Sequence, residues 1–407
     1  MADYVIIGNG IASLGCIDGI RSVDKDGKIT VISREKHPTY ARPLISYYLE
    51  GKTTPEKMKY RNDDFYEKNG VTVVYGENAE KIDGSRVVCE NSSYDFSSLL
   101  IATGSSPFVP PFDGLDSVEK KFSFMTLDDA LELETAVDKS SRVLIIGAGL
   151  IGLKCAEGLA GRSAHITVCD LADRVLSSIL DEPCAKIVAD RLTDAGIELR
   201  LGTSAAGFDK NTAHMTDGTD VEFDVLVLAV GVRANIALAK DAGLACGRGI
   251  TVDDKMRTSA EGIYAAGDVC EMSNLYSDDK KVMAILPNAY IGGYTAGVNM
   301  AGGEARFENP VPMNSIGFFG YHIMTAGSYE GELFEQTDGD TVKKLYTENG
   351  CLNGFMMLGN VARAGIYTSL IRNKTPLSEV DFDLVAKEPS LIAFTEKYRR
   401  QKLGGVL

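Results

Sequence analysis

Two short apolar strands in this chain each run straight into a glycine-rich turn, and that repetition narrows the possible folds more than any other feature. Tyr4-Val5-Ile6-Ile7 leads into Gly8-Asn9-Gly10-Ile11-Ala12-Ser13, and Val143-Leu144-Ile145-Ile146 leads into Gly147-Ala148-Gly149-Leu150-Ile151-Gly152. Each turn opens an apolar-rich helix, and the strand after each helix ends at an acid, Glu35 in the first unit and Asp170 in the second. A lone G-x-G-x-x-G carries little weight. With a strand before it, a helix after it and an acid roughly 20 residues on, it becomes a dinucleotide-binding fingerprint. Gly8 and Gly147 permit the tight turn, while Gly10 and Gly149 let the backbone approach a pyrophosphate at the positive end of a helix. Glu35 and Asp170 are placed to accept hydrogen bonds from adenosine ribose hydroxyls. Two such units imply two dinucleotides with electrons passing between them.

The rest of the chain repeats the plan. At 407 residues two or three domains are expected. Leu99-Leu100-Ile101-Ala102-Thr103-Gly104 is a buried strand ending in a glycine turn, and Val225-Leu226-Val227-Leu228-Ala229-Val230-Gly231 matches it in position and character. This is an internal duplication of a whole subdomain. Pro107–Pro111 reads as a connector, and Glu308-Asn309-Pro310-Val311-Pro312 as a second boundary. From Met313 on, apolar and polar residues alternate between glycine turns, which predicts an antiparallel sheet, a helix near Arg363–Arg372 and a polar tail. The expected fold class is α/β: two Rossmann-like, three-layer ββα dinucleotide-binding domains. One spans 1–110 and 235–308, the other is inserted over 111–234, and a C-terminal α+β interface domain covers 309–407.

Composition removes several classes of function. Hydrophobic content of 44% with 24% charged residues is that of a soluble globular protein. No window approaches the roughly 18 apolar residues of a membrane span, and the first strand begins too early for a signal peptide, so a cytoplasmic location is expected. The net charge of −15 argues against nucleic acid or anionic membrane as a partner. None of the eight cysteines lies in a C-x-x-C or C-x4-C pair, and none of the four histidines is spaced as a metal ligand. No metal site is expected, and buried free thiols are the default reading.

By these motifs, together with Ile263-Tyr264-Ala265-Ala266-Gly267-Asp268, the chain resembles the pyridine nucleotide-disulfide oxidoreductase superfamily. Within it, the chain is most similar to NADH:rubredoxin oxidoreductases and the flavin module of assimilatory nitrite reductases. Tyr40-Ala41-Arg42-Pro43-Leu44-Ile45-Ser46 resembles the segment beside the flavin in ferredoxin- and rubredoxin-reductase relatives, and Leu358-Gly359-Asn360-Val361-Ala362-Arg363-Ala364-Gly365 that of the nitrite-reductase group. The resemblance implies FAD at Gly8, Gly10, Ile11, Ala12, Ser13, Glu35, Arg42, Pro43, Ala79, Ala102, Thr103, Gly104, Gly267 and Asp268, the last holding the ribityl chain. It implies NAD(H) at Gly147, Gly149, Leu150, Ile151, Gly152, Asp170 and Gly231. Asp170 favours NADH by repelling a 2′-phosphate, although Arg174, four residues on, has the chemistry to hold one.

Three positions depart from the family pattern. Ser13 stands where the first fingerprint has its third small residue. Tyr47 stands where relatives carry a lysine, and Lys154 where most carry a glutamate. In relatives those last two positions face each other near the flavin N5 and the nicotinamide, so Lys154 and Tyr47 are the expected catalytic pair. Here Lys154 would stabilise anionic reduced flavin.

The single cysteine that peroxidase and oxidase relatives carry just after Ser46 is missing from Tyr47-Tyr48-Leu49-Glu50-Gly51. The expected activity is therefore NADH:acceptor oxidoreduction. Hydride passes between NAD(H) and FAD, and single electrons pass from FAD to a protein carrier: rubredoxin, a ferredoxin-like protein or a metal-cluster subunit of a larger complex. The alternatives are a cysteine-independent NADH oxidase and a non-catalytic flavin-bearing assembly subunit.

Overall fold

The computed structural model describes residues 3–396, 398 and 399, and divides the chain into two compact units. Unit 1 comprises 1–110, 122–137 and 228–310; unit 2 comprises 111–121, 138–227 and 311–407. Residues 122–137 and 228–234 thus cluster with unit 1. The last residues of the polar tail expected from sequence lie outside the described residues.

The centre of unit 1 is a parallel five-stranded sheet in the order Ile263–Ala265, Ser98–Ile101, Asp3–Ile7, Lys28–Ser33, Val71–Tyr75. The central strand can be a continuous apolar run because both of its faces are covered: Tyr4 to Ile7 are all buried. Ala79–Asp83, Arg86–Cys89 and Ser93–Asp95 form a small antiparallel sheet, which contributes Ile82, Val87 and Cys89 to the same core.

Helices Ile11–Val23 and Leu286–Met300 pack backbone against backbone. A Cβ on Gly15 or Gly19 would fall 2.2 or 2.3 Å from the carbonyl oxygen of Tyr290 or Tyr294, and one on Gly293 would fall 1.9 Å from that of Ala12. These contacts place the Gly8–Ser13 turn close to the segment that carries Asp268.

Unit 2 repeats the plan. Ile197–Leu201, His165–Asp170, Arg142–Ile146 and Val225–Leu228 are neighbouring strands in that order, the first three parallel. Ala205–Asp209, Thr212–Met215 and Asp220–Glu222 form the accompanying antiparallel sheet. The duplication extends to single hydrogen bonds. Gly8 donates its N–H to the Ile32 carbonyl at 2.8 Å, and Gly147 to the Cys169 carbonyl at 2.7 Å.

The C-terminal part of unit 2 is the expected antiparallel sheet, ordered Met313–Phe318, Tyr321–Gly327, Cys351–Gly359, Thr341–Glu348, Glu332–Asp338. Its helix is Ala364–Arg372, with Arg363 in the left-handed conformation at the N-cap. Tyr367 is fully buried, tilted against Phe355, and donates its hydroxyl to the Val385 carbonyl at 2.7 Å.

Side chains also tie the C-terminal part of unit 2 to the segment that leads into helix Glu182–Asp194. Lys344, buried, donates to Asp181 at 2.6 Å, and the Tyr329 hydroxyl donates to the Ile179 carbonyl at 3.2 Å. Among the described residues no helix is long and apolar enough to cross a membrane.

Candidate active site

The first fingerprint opens onto a cavity of about 870 Å³ in unit 1. Gly8, Gly10, Ile11, Ala12, Glu35, Arg42, Ala79, Ala102, Thr103, Gly104, Gly267 and Asp268 all line it. Local geometry explains the glycines. Gly8 has φ +106°, and a Cβ there would meet the Ala102 carbonyl oxygen at 2.1 Å. Gly10 has an ordinary φ of −97°, and its Cβ would meet no atom within 4 Å among the described residues beyond its chain neighbours. The protein alone does not require glycine at position 10; a ligand approaching the backbone does.

Helix Ile11–Val23 starts without a side-chain cap, so its first N–H groups are left for an anion. Helix Leu127–Ala136, by contrast, carries a full capping box from Thr126 and Asp129.

Ser13 and Pro43 do not line the cavity. Ser13 is fully buried and donates its hydroxyl to the Gly8 carbonyl at 2.6 Å. The serine that replaces the third small residue thus holds the turn from behind. Pro43 is exposed and is the second residue of the short 3-10 helix Arg42–Leu44. Tyr47, half-buried, lies under the Lys52 ammonium, 5.6 Å from the ring centre.

Asp268 receives a hydrogen bond from the Ser105 hydroxyl at 3.3 Å. Burial raises its carboxyl above the ordinary range, against the pull of Ser105 and the Arg42 charge. Such a group gains from hydroxyl donors, which a ribityl chain supplies. Asn9 is a further sign of an incomplete site. Its Oδ1 accepts from Tyr66 at 2.8 Å and Thr39 at 3.0 Å, while its Nδ2 is buried with no partner among the described residues. Donors, glycines and acid together fit FAD.

Several lining residues went unnoticed in the sequence. Asn235 donates its Nδ2 to the Thr103 carbonyl at 2.8 Å and accepts from Ser106 at 2.8 Å, so it fixes the Ala102–Gly104 turn. No local signal marks it. Met125 and Thr126 also line the cavity. Thr126-x-x-Asp129 has the spacing of a capped helix start, a spacing that points to no ligand.

In unit 2 the second fingerprint has the same form: Gly147 at φ +117°, and Gly149 at φ −85° with no protein atom within 4 Å of a Cβ. Leu150–Leu159 is the helix it opens, also without a side-chain cap, and Ile151 and Gly152 lie in its first turn. Asp170 braces the turn: its carboxylate accepts the Ala148 N–H at 2.7 Å and the Ala172 N–H at 2.8 Å. Arg174 is held by Asp173 at 3.0 Å and by the Leu180 carbonyl. Gly231 belongs to unit 1, at φ +111°, with its carbonyl accepting the Phe108 N–H at 2.9 Å.

Lys154, on helix Leu150–Leu159, pairs with the buried carboxylate of Glu157 and donates to the Gly317 carbonyl at 3.2 Å. Glu157 in turn accepts the Phe319 N–H at 2.6 Å.

Six of the eight cysteines are buried, and Cys246 and Cys351 are half-buried. All eight cysteines are free. Burial drives Cys16 and Cys155 far up and pushes Cys169, Cys184 and Cys270 to about 12. Among the described residues no group of three His, Cys, Asp or Glu side chains is placed to hold a metal ion.

Comparison with known proteins decides the family. Residues 2–293 match the model of the pyridine nucleotide-disulphide oxidoreductases. The chain belongs to that family. It is an oxidoreductase of FAD and NAD(H), and its fold is the two-dinucleotide fold read from the sequence. The epsilon subunit of NADH-dependent phenylglyoxylate dehydrogenase from Aromatoleum evansii is 32% identical over 94% of this chain and 94% of that one. Rubredoxin-NAD(+) reductase of Alcanivorax borkumensis is 28% identical over 89% of this oxidoreductase and 96% of the relative. The covalent putidaredoxin reductase–putidaredoxin complex superposes with a TM-score of 0.87 at 24% identity, covering 95% and 96% of the two chains, and bears on the fold alone.

Proposed function

We propose that this oxidoreductase passes electrons from NADH through FAD to a protein acceptor, without a redox disulfide. The acceptor is a rubredoxin, a ferredoxin-like protein or a metal-cluster subunit of a complex to which this chain belongs. The observation that carries the reading is a cavity in unit 1 whose lining fits FAD and, among the described residues, contains no cysteine, while the nearby Cys16 and Cys270 are buried with their thiols pushed up. Names among the relatives support both forms: one is a reductase of rubredoxin, and another is a subunit of an NADH-dependent dehydrogenase.

FAD, when bound, accepts hydride and can release electrons singly. The chain's own residues do the positioning. Gly8, Gly10 and the uncapped helix after them would hold its diphosphate, Glu35 its ribose and Asp268 its ribityl hydroxyls. Gly147, Gly149 and Asp170 would do the same for NADH, and Asp170 disfavours a 2′-phosphate. Lys154 and Tyr47 are proposed to tune the flavin. The domain limits 1–110 with 235–308, 111–234 and 309–407 belong to the same proposal.

The test is anaerobic NADH addition to the FAD-loaded protein. Bleaching of the flavin with no new titratable thiol, followed by fast reduction of a one-electron protein acceptor and slow O₂ consumption, is the expected outcome. Fast O₂ consumption would favour the oxidase reading instead, and an unbleached flavin the assembly-subunit reading.

A further inference from the structure

Glu35 is engaged on both carboxylate oxygens by its own chain. The Tyr40 hydroxyl donates to Oε2 at 2.8 Å, and Arg42 pairs with Oε1. The same Tyr40 oxygen accepts the backbone N–H of Leu127 at 2.8 Å. That N–H is one of the orphan donors of helix Leu127–Ala136, whose capping box satisfies the Asp129 N–H and not this one. Arg42 also donates to the Met125 carbonyl at 3.2 Å, with its guanidinium over the Tyr40 ring. His37 meets that ring edge-on and bonds Asp128 at 2.7 Å.

These links join residues 35–42 to residues 125–128. The second stretch belongs to the excursion 122–137, which clusters with unit 1 although the chain on either side of it clusters with unit 2. Met125 and Thr126 are cavity wall. The hub is Tyr40, 7% exposed, whose hydroxyl bonds both the Glu35 carboxylate and the first N–H of the helix.

We propose that Tyr40 is a positioning residue for the flavin dinucleotide. Its hydroxyl orients Glu35 toward the ribose and, through the Leu127 N–H, fixes Met125–Thr126 as a wall of the same cavity. Retention of FAD and docking of 122–137 are then one event. This rests on the reading that the unit 1 cavity holds FAD with Glu35 at its ribose.

The test uses Tyr40→Phe, which keeps the ring and removes the hydroxyl. Release of FAD from the holoprotein, followed by free-flavin fluorescence, should quicken roughly tenfold, the scale expected when a buried hydrogen bond to a charged group is lost. Hydrogen exchange at the Leu127 amide should quicken with it. Glu35→Gln alone should also release FAD faster, and the double variant should release it no faster than the faster single variant, because the two act through one link. An unchanged release rate in Tyr40→Phe, unchanged Leu127 exchange, or effects of Tyr40 and Glu35 that multiply would each overturn the proposal. A wild-type chain that takes up no FAD would instead overturn the reading beneath it, so the two failures are told apart.

Discussion

Gly297 lies directly against the main chain of Cys16: a Cβ built on it would sit 2.2 Å from the Cys16 carbonyl oxygen and 2.9 Å from the Ile20 nitrogen. Backbone cannot yield as a flexible side chain does. Gly297→Ala should therefore cost about 1–3 kcal/mol through overpacking, measured by denaturant unfolding of the FAD-loaded protein. Gly365→Ala is the control: it also lies within a helix, and outside its own helical turn no atom of the described residues comes within 4 Å of a Cβ, so alanine there should be neutral or slightly stabilising.

That crossing shows how much was legible and why the rest was not. Gly15-x-x-x-Gly19 and Gly293-x-x-x-Gly297 are plain spacings in the chain, yet a small-residue stripe does not name its partner helix from nearly 280 residues away. Strands such as Tyr4–Ile7 and the turns at Gly8 and Gly147 were readable because their chemistry is local. Asp268 was readable because the Gly267-Asp268 ending is distinctive. Asn235 and Met125 reach the cavity only through tertiary return of the chain. The partnering of Glu35 by Tyr40 and Arg42 lies only five and seven residues along, yet it depends on a loop conformation that spacing does not encode.

Lys344 and Asp181 should act as a pH-sensitive bolt between the C-terminal sheet of unit 2 and the start of helix Glu182–Asp194. Burial alone would raise the Asp181 carboxyl, but hydrogen bonds from Lys344 and Cys184 outweigh it and hold it below its usual range. Burial would lower Lys344, but Asp181 and its neighbours raise it. A depressed carboxylate contributes stability above its unfolded pKa of about 3.9, which is lost as pH falls through the lower folded value. A raised lysine contributes below about 10.4, and its share is lost as pH rises through the higher folded value. Asp181→Ala should cost about 2 kcal/mol at neutral pH, discounted because the carboxylate is partly exposed. The loss should shrink in strong acid, as thermal unfolding across pH will show.

Asp170 braces the turn by accepting the Ala148 N–H, and the second job proposed for it is to present a carboxylate where a 2′-phosphate would lie. Asp170→Ser should raise KM for NADH by about tenfold and narrow the preference for NADH over NADPH by a similar factor, each near 1.4 kcal/mol. Steady-state kinetics with both nucleotides measure this. A ratio that stays at the wild-type value would show that the acid only shapes the turn. Asp173→Ala, which removes a side-chain partner of Arg174, should widen NADPH use further in that background.

Lys154 offers the sharpest division between two roles. Its ammonium is paired with Glu157 and tied to the Gly317 carbonyl, so one role is to pin the Met313–Phe318 strand to its helix. The other is the proposed one, a positive charge that favours reduced flavin. Lys154→Met keeps length and apolar packing while removing the charge. If the charge acts on the flavin, the two-electron midpoint potential of the FAD-loaded variant should fall by about 30 mV or more, a tenfold change in the equilibrium, and hydride transfer from NADH should slow with it. If the residue only pins the strand, the potential should hold while stability drops by about 1–2 kcal/mol. Lys154→Glu is the harsher variant, because it sets a second carboxylate beside buried Glu157 and should lower stability in either case. The potential of Lys154→Met therefore decides, since only the electrostatic role moves it.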